Sequence, residues 1–90
     1  MKCIHVYIKG RVQGVFFRAE TQRAAAGFNL TGWVRNMADG RVEACFKGKD
    51  ENIDKILEWC HIGPPAARVE EVLTEEEQYT GEFRDFSIKY

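Results

Sequence analysis

The stretch Cys3-Ile4-His5-Val6-Tyr7-Ile8-Lys9-Gly10-Arg11-Val12-Gln13-Gly14-Val15-Phe16-Phe17-Arg18 takes the chain from a strand pattern into a helix pattern. Ile4, Val6 and Ile8 alternate with Cys3, His5, Tyr7 and Lys9, the period of two of a half-buried strand, expected over residues 3–9. Gly10 and Gly14 bracket a loop. From Arg18 to Ala26 the alanine-rich run favours a helix. Gly27 is expected at its left-handed C-terminal position, with Phe28 and Leu30 returning the chain to the core.

Beyond this first unit, strands are expected over residues 31–37 and 41–47. Met37-Ala38-Asp39-Gly40 joins them, and Asp-Gly signals a hairpin because both residues tolerate positive φ. Val42, Ala44 and Phe46 face one way, and Arg41, Glu43, Cys45 and Lys47 the other. Asp50 is expected to cap a second helix. Ile53, Ile56, Leu57 and Cys60 fall at helical spacing and form its apolar stripe. Gly63-Pro64-Pro65 stops that helix, since proline cannot continue the hydrogen-bond ladder. A strand over 67–75, a polar loop from Glu76 to Glu82 and a last strand over 84–90, with Phe86 and Ile88 inward, complete the pattern. The order is β-α-β-β-α-β with an extra short strand or hairpin near the C-terminus. Two split β-α-β units side by side form an α+β, ferredoxin-like sandwich: an antiparallel sheet with both helices on one face. Ninety residues suffice for one core, so residues 1–90 read as a single domain.

Composition narrows the function classes. With 44% hydrophobic and 30% charged residues, the chain is neither disordered nor fibrous. No apolar run approaches the roughly 18 residues of a membrane span, and the first residues lack a secretory pattern. A soluble, cytoplasmic, monomeric protein with no membrane partner is expected. The net charge of -1 hides an asymmetry. Residues 1–49 carry nine Lys/Arg against three acidic residues, whereas residues 50–90 carry four against eleven. An acidic half argues against a general nucleic-acid binder, which needs a broad basic face. Cys3, Cys45 and Cys60 show no CxxC spacing, so neither a zinc knuckle nor a disulfide scaffold is signalled. Cys3, His5 and Cys45 would share one sheet face if the first and third strands are neighbours, which leaves a metal site or a Cys3–Cys45 bridge conceivable there.

The junction from Gly10 to Arg18 has the makings of an anion site. A strand running straight into a helix leaves backbone N–H groups unpaired at the helix start, where the dipole favours negative charge. Glycines let the backbone curl close, and the Arg18 guanidinium matches two phosphate oxygens. A tight βα turn with a surface arginine fits the same residues. Other phosphate devices fail on spacing: Gly14 is followed by Val15 and Phe16 rather than Lys-Ser/Thr, and no G-x-G-x-x-G occurs. No cysteine has an arginine six positions on, and no acidic pair is placed to hold Mg²⁺.

Gly10, Val12, Gln13, Gly14, Val15, Phe17 and Arg18 match the acylphosphatase signature G-x-V-Q-G-V-x-F-R, and the chain resembles that family. The hairpin from Gly32 to Glu43 resembles its second signature, G-[WYF]-V-x-N-x-x-D-G-x-V-E. Gly63-Pro64-Pro65-Ala66-Ala67-Arg68-Val69 and Phe86-Ser87-Ile88-Lys89-Tyr90 are similar to later landmarks. The likeness covers nearly the whole chain and implies a ferredoxin-like hydrolase of acyl phosphates that needs no metal or other cofactor. It implies that Arg18 holds the phosphate with the backbone amides of Gln13, Gly14, Val15, Phe16, Phe17 and Arg18. Asn36 would hold the attacking water. Asp39-Gly40 reads as a hairpin device, and Phe16, at the variable position, as a flank for the acyl group. His5 and His61 are expected away from this loop.

Two other readings compete. RNA-recognition domains share the element order and stack bases on aromatic residues of the open sheet face, where Tyr7 and Trp33 would sit. Against this, the third strand lacks the aromatic-rich motif and the C-terminal half is acidic. Alternatively, the same architecture serves as one part of a larger carbamoyl-transfer protein, although a ninety-residue chain favours a free-standing enzyme.

Overall fold

A computed structural model describes residues 1–81 and 84–90. Strand β1 (Lys2–Arg11) leads to helix α1 (Phe17–Gly27), the hairpin β2 (Thr31–Asn36) and β3 (Val42–Gly48), helix α2 (Asp50–Ile62), β4 (Arg68–Glu77) and β5 (Phe86–Lys89). They form one sheet in the order β4-β1-β3-β2-β5. The first four pair antiparallel, as expected of the sandwich. The extra C-terminal strand joins the β2 edge in parallel, Gly32 opposite Phe86, and makes the sheet mixed.

Alternation sorts the sheet into two faces. Ile4, Val6 and Ile8 of β1, Val34 of β2 and Val42, Ala44 and Phe46 of β3 are buried together against Phe17, Ala25, Ile53, Ile56 and Cys60 of the helices. The α2 stripe is as spaced in the sequence, with Leu57 packed at its margin. Ion-pairing and aromatic side chains occupy the other face: His5, Tyr7, Trp33, Arg35 and Glu43. One apolar face and one polar face fix the register, because a one-residue slip would exchange them.

Several boundaries differ from expectation. Helix α1 includes Gly27, and the left-handed residue after it is Asn29, at φ 56°. Asparagine tolerates that region, and the two-residue delay lets the Leu30 amide reach the Ala25 carbonyl. Lys49, in extended backbone, precedes α2, while Asp50 and Glu51 lie in its first turn. There their charge favours the helix dipole instead of capping it through a side chain. Strand β4 extends through Glu77, two residues past the expected end, because Cys3, Ile4 and His5 supply partners for Glu77, Glu76 and Glu75. The expected loop therefore starts after Glu77, and its last residue, Glu82, lies outside the described residues.

Two glycines mark close backbone approaches. At Gly10 (φ 134°) the β1–β4 register shifts, and a Cβ would lie 2.1 Å from the Arg68 carbonyl oxygen. At Gly32 (φ 132°) it would lie 1.8 Å from that of Cys45. The first bulge turns β1 toward the junction with α1.

Candidate active site

The β1–α1 junction is built by alternating backbone handedness. Gly14 (φ 74°) and Phe16 (φ 63°) are left-handed, and Val15 between them is not. Such alternation draws successive N–H groups toward one point, the geometry of an anion nest. Phe16 is the N-cap of α1, and no side chain caps the helix there. The first helical hydrogen bond runs from the Glu20 amide to the Phe16 carbonyl.

Packing holds this loop from beneath. Val12, Val15 and Phe17 are buried in the core, and the Phe17 ring meets Trp59 edge-on at 5.6 Å. Gln13 reaches the β2–β3 hairpin, where its Nε2 donates to the carbonyls of Met37 (2.8 Å) and Arg41 (2.9 Å). Those residues are themselves joined, the Met37 amide donating to the Arg41 carbonyl. The hairpin turn is fixed by Asp39, whose carboxylate accepts from the Arg41 amide and guanidinium. These bonds hold its pKa below the usual carboxylate range. Asp39-Gly40 is thus a turn device, as its sequence suggested.

A pocket of about 270 Å³ opens where loop, hairpin and β5 meet. Gly14, Phe16, Phe17 and Arg18 contribute from the loop and helix start, and Asn36 from the end of β2. Val12, Ala19, Ile88 and Tyr90 complete it. Arg18 and Asn36, eighteen residues apart in sequence, therefore line one cavity. Among the described residues the lining holds no carboxylate side chain, and Arg18 supplies the side-chain charge. Its guanidinium lies 4.9 Å from the Tyr90 ring centroid. Of the loop residues named from sequence, Val15 turns its side chain inward and Gln13 turns to the hairpin, so neither side chain lines the pocket.

Ile88 and Tyr90 are pocket residues that sequence reasoning did not assign. The parallel pairing of β5 with β2 carries them there, and no local pattern announces a parallel edge. His5 lies on the open face between Glu43 and Glu77, and His61 bonds the Leu57 carbonyl, so neither is in the pocket. Cys3 and Cys45 are buried neighbours on the open face, their sulfurs 3.7 Å apart. Burial first, and then the Cys3 thiol, push the Cys45 thiol up to about 12. Among the described residues, no three His, Cys, Asp or Glu side chains gather where they could hold a metal, and no helix is long and apolar enough to cross a membrane.

A split β-α-β sandwich in which the helix start, free of a side-chain cap, shares one pocket with Arg18 and Asn36 defines a small α+β protein with a candidate anion site. Comparison makes this specific. The acylphosphatase family model matches residues 4–88. An acylphosphatase of Syntrophus aciditrophicus is 54% identical over 90 residues, covering 100% of this chain and 94% of that protein. The crystal structure of acylphosphatase from Bacillus subtilis superposes with a TM-score of 0.96 at 34% identity and full coverage of both chains. T. kodakarensis HypF contains a similar body, with a TM-score of 0.86 and 34% identity over 100% of this chain but 12% of that one. The chain belongs to the acylphosphatase family and is an enzyme.

Proposed function

We propose that the pocket hydrolyses the carboxyl–phosphate anhydride of an acyl phosphate, with Arg18 and the backbone amides from Gln13 to Arg18 holding the phosphate and Asn36 orienting the water. The observation that carries this reading is the meeting of Arg18 and Asn36 in one cavity at the uncapped start of α1. Water adds to phosphorus, the bridging P–O bond breaks, and the products are a carboxylate and inorganic phosphate. The leaving carboxylate is stable without a proton, so the reaction needs no general acid, and among the described residues the lining provides no acidic side chain or histidine to act as one. In a loose phosphoryl-transfer transition state the attacking water needs little activation. A phosphate oxygen of the substrate accepts its proton. The remaining work is to place the water and to balance charge on the equatorial oxygens, which a carboxamide and a guanidinium beside converging amides can do. The same economy makes a metal ion unnecessary.

The substrate is a small molecule, and the protein acts as a cytoplasmic monomer with neither nucleic acid nor membrane as partner. Tyr7 and Trp33 do share the open face, where desolvation first and then Glu43 and Glu75 raise the Tyr7 pKa against the opposing charge of Arg41. Arg35 and Lys89 cover the Trp33 ring and Arg41 covers that of Tyr7, so these rings are already taken by the protein's own side chains.

The test is turnover of benzoyl phosphate with inorganic phosphate as competitor, with and without chelator. Arg18→Ala and Asn36→Ala should each lower kcat/KM by about 10²–10³-fold, the usual cost of losing a transition-state donor. Only the arginine variant should also weaken phosphate inhibition, and chelator should change nothing. Near-normal turnover by Arg18→Ala, or dependence on metal, would overturn the assignment.

A further inference from the structure

The pocket contains more than an anion site. Its volume of about 270 Å³ equals the share of roughly nine waters at about 30 Å³ each in the liquid, more than a phosphate group fills. Beside Arg18 and Asn36 stand apolar walls, and two of them are aromatic rings on the surface. Phe16 is 80% exposed and Tyr90 99%, whereas Phe17, Phe46 and Phe86 are buried. An exposed phenylalanine contributes little to folding. This one also sits at φ 63°, a region where a bulky side chain is strained and glycine or asparagine is the easier choice. Backbone strain combined with exposure at a cavity mouth is a poor arrangement for stability and a useful one for a ligand. Tyr90 lines the same pocket, with the Arg18 guanidinium over its ring. A substrate whose phosphate meets Arg18 has its acyl carbon only one bridging oxygen away, beside these rings.

We propose that Phe16 and Tyr90 form an aromatic collar that binds the acyl half of the substrate and selects flat, uncharged acyl groups over small ones. The collar rests on the acyl-phosphate reading of the pocket and deepens it from the phosphate to its organic partner. Val12 and Ile88 line the same space with aliphatic surface, and among the described residues the lining brings no second cationic side chain to receive a charged acyl tail. Selectivity is then a matter of ring contact, and the anion site is indifferent to it.

The experiment measures kcat/KM for benzoyl phosphate and acetyl phosphate and follows their ratio. Phe16→Asn removes the ring and suits the left-handed backbone. Tyr90→Ala removes the second ring at a position that buries nothing, and Phe16→Tyr restores a ring. Each ring removal should lower the benzoyl-to-acetyl ratio roughly two- to tenfold, the range expected for one aromatic contact. Phe16→Tyr should keep the ratio. The urea midpoint of Phe16→Asn should equal or exceed that of the parent, because strain is relieved. Ratios unchanged in both ring-removal variants, with the two substrates falling in parallel, would overturn the collar while leaving acyl-phosphate hydrolysis standing. A parent protein that turns over neither substrate would instead overturn the functional reading and the collar with it.

Discussion

Glu43 offers a test of what holds the open face of the sheet together. Its carboxylate is only 7% exposed and lies 2.5 Å from both His5 Nε2 and Arg35 Nε. Burial works to raise its pKa, but hydrogen bonds from His5 and Arg35 outweigh burial and hold it below the usual carboxylate range. A group whose pKa is lower folded than unfolded adds stability above the unfolded value, and that stability is lost as pH falls through the folded one. Glu43→Gln keeps the shape and removes the charge. A hydrogen bond to a charged group contributes about 1.5–3 kcal/mol. Because the Arg35 side chain is 50% exposed, solvent screening brings the expected loss down to about 1–2 kcal/mol. In a domain this small each kcal/mol shifts Tm by roughly 4–8 °C, so the variant should melt about 4–16 °C lower at neutral pH. Urea unfolding of both proteins, followed by tryptophan fluorescence from neutral pH to about pH 2.5, reads the difference directly, since the other carboxylates cancel between them. The gap should be full above about pH 4.3, the unfolded value for glutamate, and shrink below it. A gap that persists unchanged through the acid range would mean that packing, and not charge, does the work, and would refute the reasoning.

Gln13→Ala removes the two bonds from the loop to the Met37 and Arg41 carbonyls; it should cost about 1–3 kcal/mol in urea unfolding and lower kcat for benzoyl phosphate more than it weakens phosphate inhibition. Equal activity at lower stability would assign Gln13 to folding alone. Oxidation by glutathione disulfide should join Cys3 and Cys45, releasing two glutathione molecules and leaving one free thiol, and should raise Tm reversibly on reduction. Closing residues 3–45 is worth up to about 4 kcal/mol in chain entropy, reduced by the diagonal placement of the pair across β1 and β3. Reaction should be slow at neutral pH, because the Cys45 thiol is held near 12, and a Cys45→Ala protein that gains the same Tm would exclude the bridge.

The two central strands were readable because their alternation is local. Ile4, Val6 and Ile8 against Val42, Ala44 and Phe46 announce their face, and the Asp39-Gly40 turn announces their partner β2. Errors arose where a distant contact decides a local choice. Glu76 and Glu77 read as the start of a polar loop until β1 is seen to pair with them, with His5 bonding Glu77. Gly27 looks like a helix stop, yet the return of Leu30 to the core is better served by Asn29 two residues later. In the site, Gly14 and Arg18 could be picked out as a candidate anion-binding junction from spacing and charge. Asn36 could not: an asparagine near a turn has ordinary backbone reasons to be there, and only family likeness singled it out. Tyr90 was named only within the C-terminal landmark, and its place in the pocket depends on a parallel strand pairing between residues more than fifty positions apart.

That strand pairing has a consequence for how the enzyme comes into being. The cavity takes its sides from residue 12, residue 36 and residue 90, so no contiguous fragment shorter than residues 12–90 contains it. A nascent or partly refolded molecule can have both helices docked on the central hairpin and still lack one wall. If the cavity is the proposed site, turnover belongs to the completed sheet, and its appearance marks the moment when the last four-residue edge has found its neighbour.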